Sequence, residues 1–193
     1  VLAPKQHNTR DKNKDIKNGK GGDLWNDTPN NKRQKDVDAR WTQKGGQNFF
    51  GYKNHIKTDK VSKFIKKCFV SAASLHDSQA LDYLAEESDR GQSLLADSAY
   101  VGQEDVLEKW GLIDEICEKG YRGHPLTKDQ KETNRKKSSI RCRVEHVFGF
   151  EEGSMNRLTT RTVGFVRAKS TIFFKNMLYN FFRLEQIVRL GIN

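Results

Sequence analysis

The run Ser93-Leu94-Leu95-Ala96, closed by Asp97, limits the possible folds more than any other part of this chain. It is too short for a stable helix, and its continuous apolarity leaves no polar side to face water, so it reads as a strand buried on both faces. A strand of that kind needs a sheet with helices laid over it. The expected class is therefore α/β, or α+β with a mixed sheet.

The surrounding segments agree. Phe49–Lys57 is aromatic and β-prone, Thr58-Asp59-Lys60 is turn-like, and Phe64–Ser71 reads as the returning strand of a hairpin. Asp77 is suited to cap a helix with Ala80, Leu81 and Leu84 on its inner face. Val101–Trp110 predicts a short helix, and Leu112–Cys117 a strand interrupted by Asp114 and Glu115. Lys128–Lys137 is a solvated charge run. After it, Ile140, Val144, Val147 and Phe148 make one apolar stripe on a helix over Lys137–Phe150. A last helix is expected over Arg167–Leu190, with Phe173, Met177, Phe181, Leu184 and Val188 as its core stripe. Val1–Lys44 is mostly polar and glycine-punctuated and reads as loop, except that Val1-Leu2-Ala3 looks like the tail of a strand. The organisation expected is one domain over 1–193, with a basic, loop-rich segment (1–48) and an α/β core with C-terminal helices (49–193).

A net charge of +10 makes a polyanion the default partner, since Lys and Arg release counterions from nucleic acid on binding. The bland alternative is a merely soluble basic protein. The cysteines Cys68, Cys117 and Cys142 are odd in number and widely spaced, which argues against a zinc ribbon and fits a reducing cytoplasm. No apolar run is long enough to suggest a membrane partner.

Two carboxylates carry the chemical interest. Asp97 ends the buried strand, where open α/β sheets place their ligands. It could equally cap the turn Ser98-Ala99-Tyr100. Glu145 lies at the border of the apolar stripe of its helix. Taken alone it is a partner for Arg141 one turn earlier, a pair contributing roughly 0.2–0.5 kcal/mol. Taken together, acids from two different elements suit a hard cation such as Mg²⁺, which prefers carboxylate oxygens. Two such ions can stabilise both oxygens of an in-line phosphoryl displacement. The histidines His7, His55, His76, His124 and His146 are scattered and form no metal motif. His146 points away from Glu145, in a supporting or surface role.

Many ordered blocks resemble the catalytic domain of bacterial insertion-sequence transposases of the DDE type. Early ones are Ala3-Pro4-Lys5-Gln6, Asp38-Ala39-Arg40-Trp41-Thr42 with Lys44-Gly45, and Phe50-Gly51-Tyr52-Lys53-Asn54-His55. Later ones are His76-Asp77-Ser78, Ala96-Asp97-Ser98-Ala99-Tyr100 and Arg141-Cys142-Arg143-Val144-Glu145-His146-Val147-Phe148-Gly149. Arg161-Thr162-Val163-Gly164 and Tyr179-Asn180 with Arg183 are similar to the family's tail.

The resemblance implies an RNase H-like fold and cleavage and joining of double-stranded DNA with Mg²⁺ or Mn²⁺. It makes Asp97 and Glu145 the second and third catalytic acids and metal ligands. Arg141 is the arginine of the signature around the glutamate, and Arg143, His146, Lys53, His55 and Tyr100 support the site or touch DNA. A homodimer and a cytoplasmic, nucleoid-associated location accompany it. Ser138 and Glu152 stand where the family has a tyrosine and a DNA-contacting lysine. The family's first acid belongs to a strand just before the Ala-Pro block, so the expectation is a first strand truncated at Val1 and impaired activity. Asp38 is a poor substitute for that acid. A non-catalytic DNA-binding remnant, or an RNase H-like nuclease unrelated to transposition, are the alternatives.

Overall fold

The computed structural model describes residues 1–4, 6, 8–155 and 159–191. In chain order they form α1 (Arg10–Lys17), α2 (Pro29–Lys32), β1 (Arg40–Lys44), β2 (Gln47–Thr58), β3 (Ile65–Ala72), α3 (Leu81–Leu84), β4 (Ser93–Leu94), α4 (Glu104–Trp110), β5 (Ile113–Asp114), α5 (Lys128–Gly153) and α6 (Phe165–Leu190). Short 3₁₀ turns over Asp77–Ala80, Glu87–Asp89 and Ser98–Tyr100 lie between them. The mixed α and β content matches the class read from the sequence.

β2 is the spine of the larger sheet. It pairs antiparallel with β1 from Arg40↔Gly51 to Lys44↔Gln47, and with β3 from Tyr52↔Ala72 to Lys57↔Lys67. Alternation along β2 separates two faces. Phe50 and Tyr52 pack with Val70, Ala168 and Ile172, so α6 covers that face. Asn54 exchanges side-chain hydrogen bonds with Asn176 of α6, and Ile56 packs beside Ile65, Val147 and Tyr179, which brings in α5. Lys53, His55 and Lys57 point the other way, toward the segment from Asp77 to Asp89.

Val1–Ala3 extends this sheet. The Val1 nitrogen donates to the Tyr52 carbonyl, Tyr52 N–H to Val1 O, and Ala3 N–H to Phe50 O. Thr160 N–H in turn donates to Leu2 O. Gly51 permits this approach: its φ is 153°, and a β-carbon there would run into the Val1 carbonyl.

The second sheet is the parallel pair β4–β5, backed by a separate cluster of Ala96, Leu107 and Ile116. The expected strand Ser93–Ala96 is paired at Ser93 and Leu94 only, and both are half-buried. The expectation of burial on both faces fails because Ser93, Leu94 and Leu95 line an open groove instead of being covered by helices on both sides. The strand expected over Leu112–Cys117 likewise shrinks to Ile113–Asp114.

Three other expectations change. Arg10–Lys17 is a helix and Arg40–Lys44 a strand rather than loop, with Thr9 Oγ1 accepting from Lys12 N–H, Ile16 buried, and Arg40–Lys44 held by its pairing to β2. α5 is one continuous helix from Lys128, because Thr127 and Gln130 form a capping box that carries the charge run into it. The stripe Phe173, Met177, Phe181, Leu184 and Val188 of α6 is exposed, and the buried face is Ala168, Ile172, Asn176 and Tyr179.

Candidate functional site

A groove of about 1670 Å³ runs between β2 and the segment Gly91–Asp97. Two strands turn an edge toward it, and α5 lines it from Ile140 to Glu152. Val1 occupies the β2 edge at Tyr52, so by alternation the backbone groups of Asn54 and Ile56 face the same side. Neither has a backbone partner there among the described residues. On the opposite wall, Gln92, Leu94 and Ala96 give their carbonyls to Ile113, Glu115 and Cys117. Ser93 and Leu95 therefore turn their backbone groups away from β5 and into the groove.

Asp97 and Glu145 both line this groove, with Lys53, His55, Tyr100, Arg141 and Arg143. The cavity thus unites every site residue named from the sequence except His146, which is exposed on α5. Asp97 adopts the turn-capping role: its Oδ1 accepts from Ala99 N–H at 2.9 Å, and the residue is exposed. Its position is fixed by Ala96, buried immediately before it. Glu145 is exposed on α5 and paired with Arg141, Nη2 to Oε1 at 3.3 Å. Val147, fully buried two residues on, sets the rotation of the helix. Arg143 donates to the Lys60 carbonyl and ties α5 to the β2–β3 turn.

One residue gains importance. Asp77 does not cap the turn it begins; His76 does, its ring nitrogen accepting from Ser78 N–H. Asp77 instead pairs with Lys53 at 3.0 Å and stands 3.7 Å from His55 Nδ1. The i, i+2 spacing of Lys53 and His55 on a strand was the available signal, since it puts both on one face toward a shared acid. Burial holds the His55 imidazole below its usual pKa, partly offset by Asp77, and its Nε2 bonds Ser71 Oγ at 2.8 Å. The Tyr100 phenol is pushed up to about 12, first by burial and then by the Asp77 and Asp97 carboxylates.

The fixed positive groups are partly matched already. Lys57 bonds Glu86 and buried Asp89 at 2.7–2.9 Å, and Lys66 lies 3.6 Å from Asp59. Glu152, where the resemblance expects a lysine, also lines the groove. Asp38 lies elsewhere, accepting from Phe165 N–H at the start of α6. Asp97 and Glu145 have the right oxygen chemistry for a hard cation, but a pair is an incomplete ligand set. Among the described residues no cluster of three or more His, Cys, Asp or Glu could hold a metal. The residues present therefore do not, by themselves, fit a catalytic metal ion. No helix among them is long and apolar enough to cross a membrane.

Comparison with known proteins places this geometry in context. Residues 15–181 match the family model described as the transposase DDE domain. A curated relative, the transposase for insertion sequence element IS1106 of Neisseria meningitidis serogroup B, is 32% identical over 148 residues. That alignment takes in 76% of this chain and 51% of the relative, so the chain spans about half the length of the protein it matches. No solved structure matches.

Proposed function

The chain belongs to the transposase DDE domain family, and from that premise we propose that it is the catalytic domain of a DNA transposase, a single RNase H-like unit over 1–193, whose acid set is incomplete in the described residues. The observation that carries this reading is the shared groove: Asp97 and Glu145, 48 positions apart in the chain, line one cavity together with Lys53, Lys60, Arg141 and Arg143. In this reading Lys53, Lys60, Arg141 and Arg143 grip DNA phosphates, and Arg141 also orients Glu145. His55 and Tyr100 position groups at the groove floor. Mg²⁺ or Mn²⁺ is the cofactor expected of an intact site, and no step is assigned to it here because two carboxylates do not complete its shell.

The open strand edges supply a place for a further acid. With Leu2 opposite Gly51, Val1 stands opposite Tyr52. A ladder continued in that register would put five residues opposite Lys53–Lys57 and fill the groove wall between Asn54 and Leu95.

The test uses supercoiled plasmid with Mg²⁺ or Mn²⁺. The chain alone is expected to leave it intact. Variants carrying five added β-forming residues before Val1, with one Asp moved through the five positions, are expected to nick it at one position. Asp97→Ala or Glu145→Gln should abolish that nicking. Failure at every position, with amide exchange showing the strand seated, would overturn the catalytic reading. Salt-sensitive DNA binding without cleavage would then favour the second reading, a non-catalytic DNA-binding remnant, which the lack of a three-acid cluster already supports.

A further inference from the structure

We propose that Lys53, His55 and Asp77 form a proton-operated clamp in the groove: Asp77 holds Lys53 while the His55 ring is neutral, and a proton on Nδ1 draws the same carboxylate to the ring and frees Lys53 for a backbone phosphate. The clamp rests on the DNA-binding reading above and adds its regulation. One oxygen carries the argument. Asp77 Oδ1 lies 3.0 Å from Lys53 Nζ and 3.7 Å from His55 Nδ1. The first contact is an ion pair; the second is too long for a hydrogen bond. Lys53 and His55 stand two residues apart on one face of β2, so both reach for that oxygen.

The far side of the ring decides where its hydrogen sits. Ser71 Oγ donates to the Ala72 carbonyl at 3.1 Å. A hydroxyl has one hydrogen to give, so in the 2.8 Å contact between Ser71 Oγ and His55 Nε2 the ring nitrogen is the donor. The neutral ring therefore carries its hydrogen on Nε2 and turns a bare lone pair at Nδ1 toward Asp77. Two acceptors facing one another keep apart, which accounts for the 3.7 Å. Phe69 stacks on the ring, and Tyr83 stacks on Phe69 at 4.3 Å, so the ring keeps this orientation.

Protonation reverses the contact. An imidazolium offers Asp77 a charge-assisted hydrogen bond, ordinarily of about 2.7–2.9 Å. The trio then passes from neutral to singly positive, and the new charge repels Lys53 from the oxygen it held. Lys53 keeps its 2.6 Å hydrogen bond to the Leu75 carbonyl, a neutral partner, so its charge is left facing the groove that it lines. Neighbouring groups do not interfere. Lys57 is held by Glu86 and Asp89, and the Tyr100 phenol, under the influence of Asp77 and Asp97, keeps its proton throughout. Burial favours the neutral ring and Asp77 the charged one; burial is the larger effect, so the exchange falls on the acid side of neutrality.

Two measurements from pH 8 to pH 5 in metal-free buffer test the clamp. In nitrogen-15 NMR of the imidazoles, His55 should carry its hydrogen on Nε2 at pH 8 and gain one on Nδ1 on acidification. Asp77→Asn should move that gain to lower pH. In fluorescence anisotropy with a DNA duplex at about 0.1 M salt, affinity should rise roughly fivefold to tenfold more in wild type than in His55→Gln, the worth of one added phosphate contact. Asp77→Asn, a change at a half-exposed side chain that spares the fold, frees Lys53 at every pH and should bind that much more tightly than wild type already at pH 8. A His55 hydrogen on Nδ1 at pH 8 overturns the proposal. So does a wild-type affinity no more sensitive to pH than that of His55→Gln, or an Asp77→Asn chain that binds at pH 8 as wild type does. Absence of DNA binding at every pH is a separate failure: it sinks the DNA-binding reading, and the clamp with it.

Discussion

Glu151 is a carboxylate buried at a cost to the fold. It is fully buried, and neither carboxylate oxygen has a hydrogen-bond partner among the described residues. Burial pushes its pKa from 4.5 up to about 7, with Lys175 and the chain's amino terminus pulling the other way. The folded state thus holds the proton more tightly than the unfolded state. The stability this confers is complete below pH 4.5 and is lost as pH rises through 7, a swing on the order of 3 kcal/mol. Glu151→Gln should therefore stabilise the protein by about 1–2 kcal/mol at pH 8 and leave it unchanged at pH 4, as read by urea denaturation. His55 works in the opposite sense. Its depressed pKa means that the fold holds a neutral ring, so its contribution is intact above 6.5 and falls as the solution is acidified. His55→Gln should flatten the loss of stability between pH 7.5 and 5, measured by the same titration.

At the scale of elements, the junction of Val1–Ala3 with β2 depends on one glycine. Gly51→Ala should cost on the order of 2–4 kcal/mol and speed amide exchange at Ala3, because the added carbon meets backbone rather than a movable side chain. The β2–β3 hairpin beyond this glycine was legible in the sequence from its aromatic and β-branched runs and its turn, whereas β1, paired at the glycine itself, read as loop. The length of α5 was also written there, in the Thr127/Gln130 capping box, but a run of charges masked it. The inward face of α6 was not legible. Periodicity identifies a helix without saying which side turns in. Here the inward side includes Asn176 and Asn180, which bond Asn54 and the Ile65 backbone, while the larger apolar residues face out. The site was half visible. Asp97 and Glu145 stood out by their neighbours, whereas Asp77 looked like a cap until the strand beside it was placed.

For the whole molecule, charge is the dominant property, and DNA affinity should report it. Binding to a 30-base-pair duplex, followed by fluorescence anisotropy, is expected to weaken at least tenfold between about 50 and 200 mM salt. Arg143→Ala should reduce the slope of log K against log salt by about one, uniformly across sequences. A slope near zero would mean that the basic groups are occupied by their internal acids, as Lys57 is by Glu86 and Asp89.

The two bare strand edges have a bearing on handling as well as chemistry. Exposed ladders are templates on which identical chains stack into fibrils. On β2 the open positions are Asn54 and Ile56, and the neighbouring lysines do not guard them, since Lys53 is held by Asp77 and Lys57 by Glu86 and Asp89.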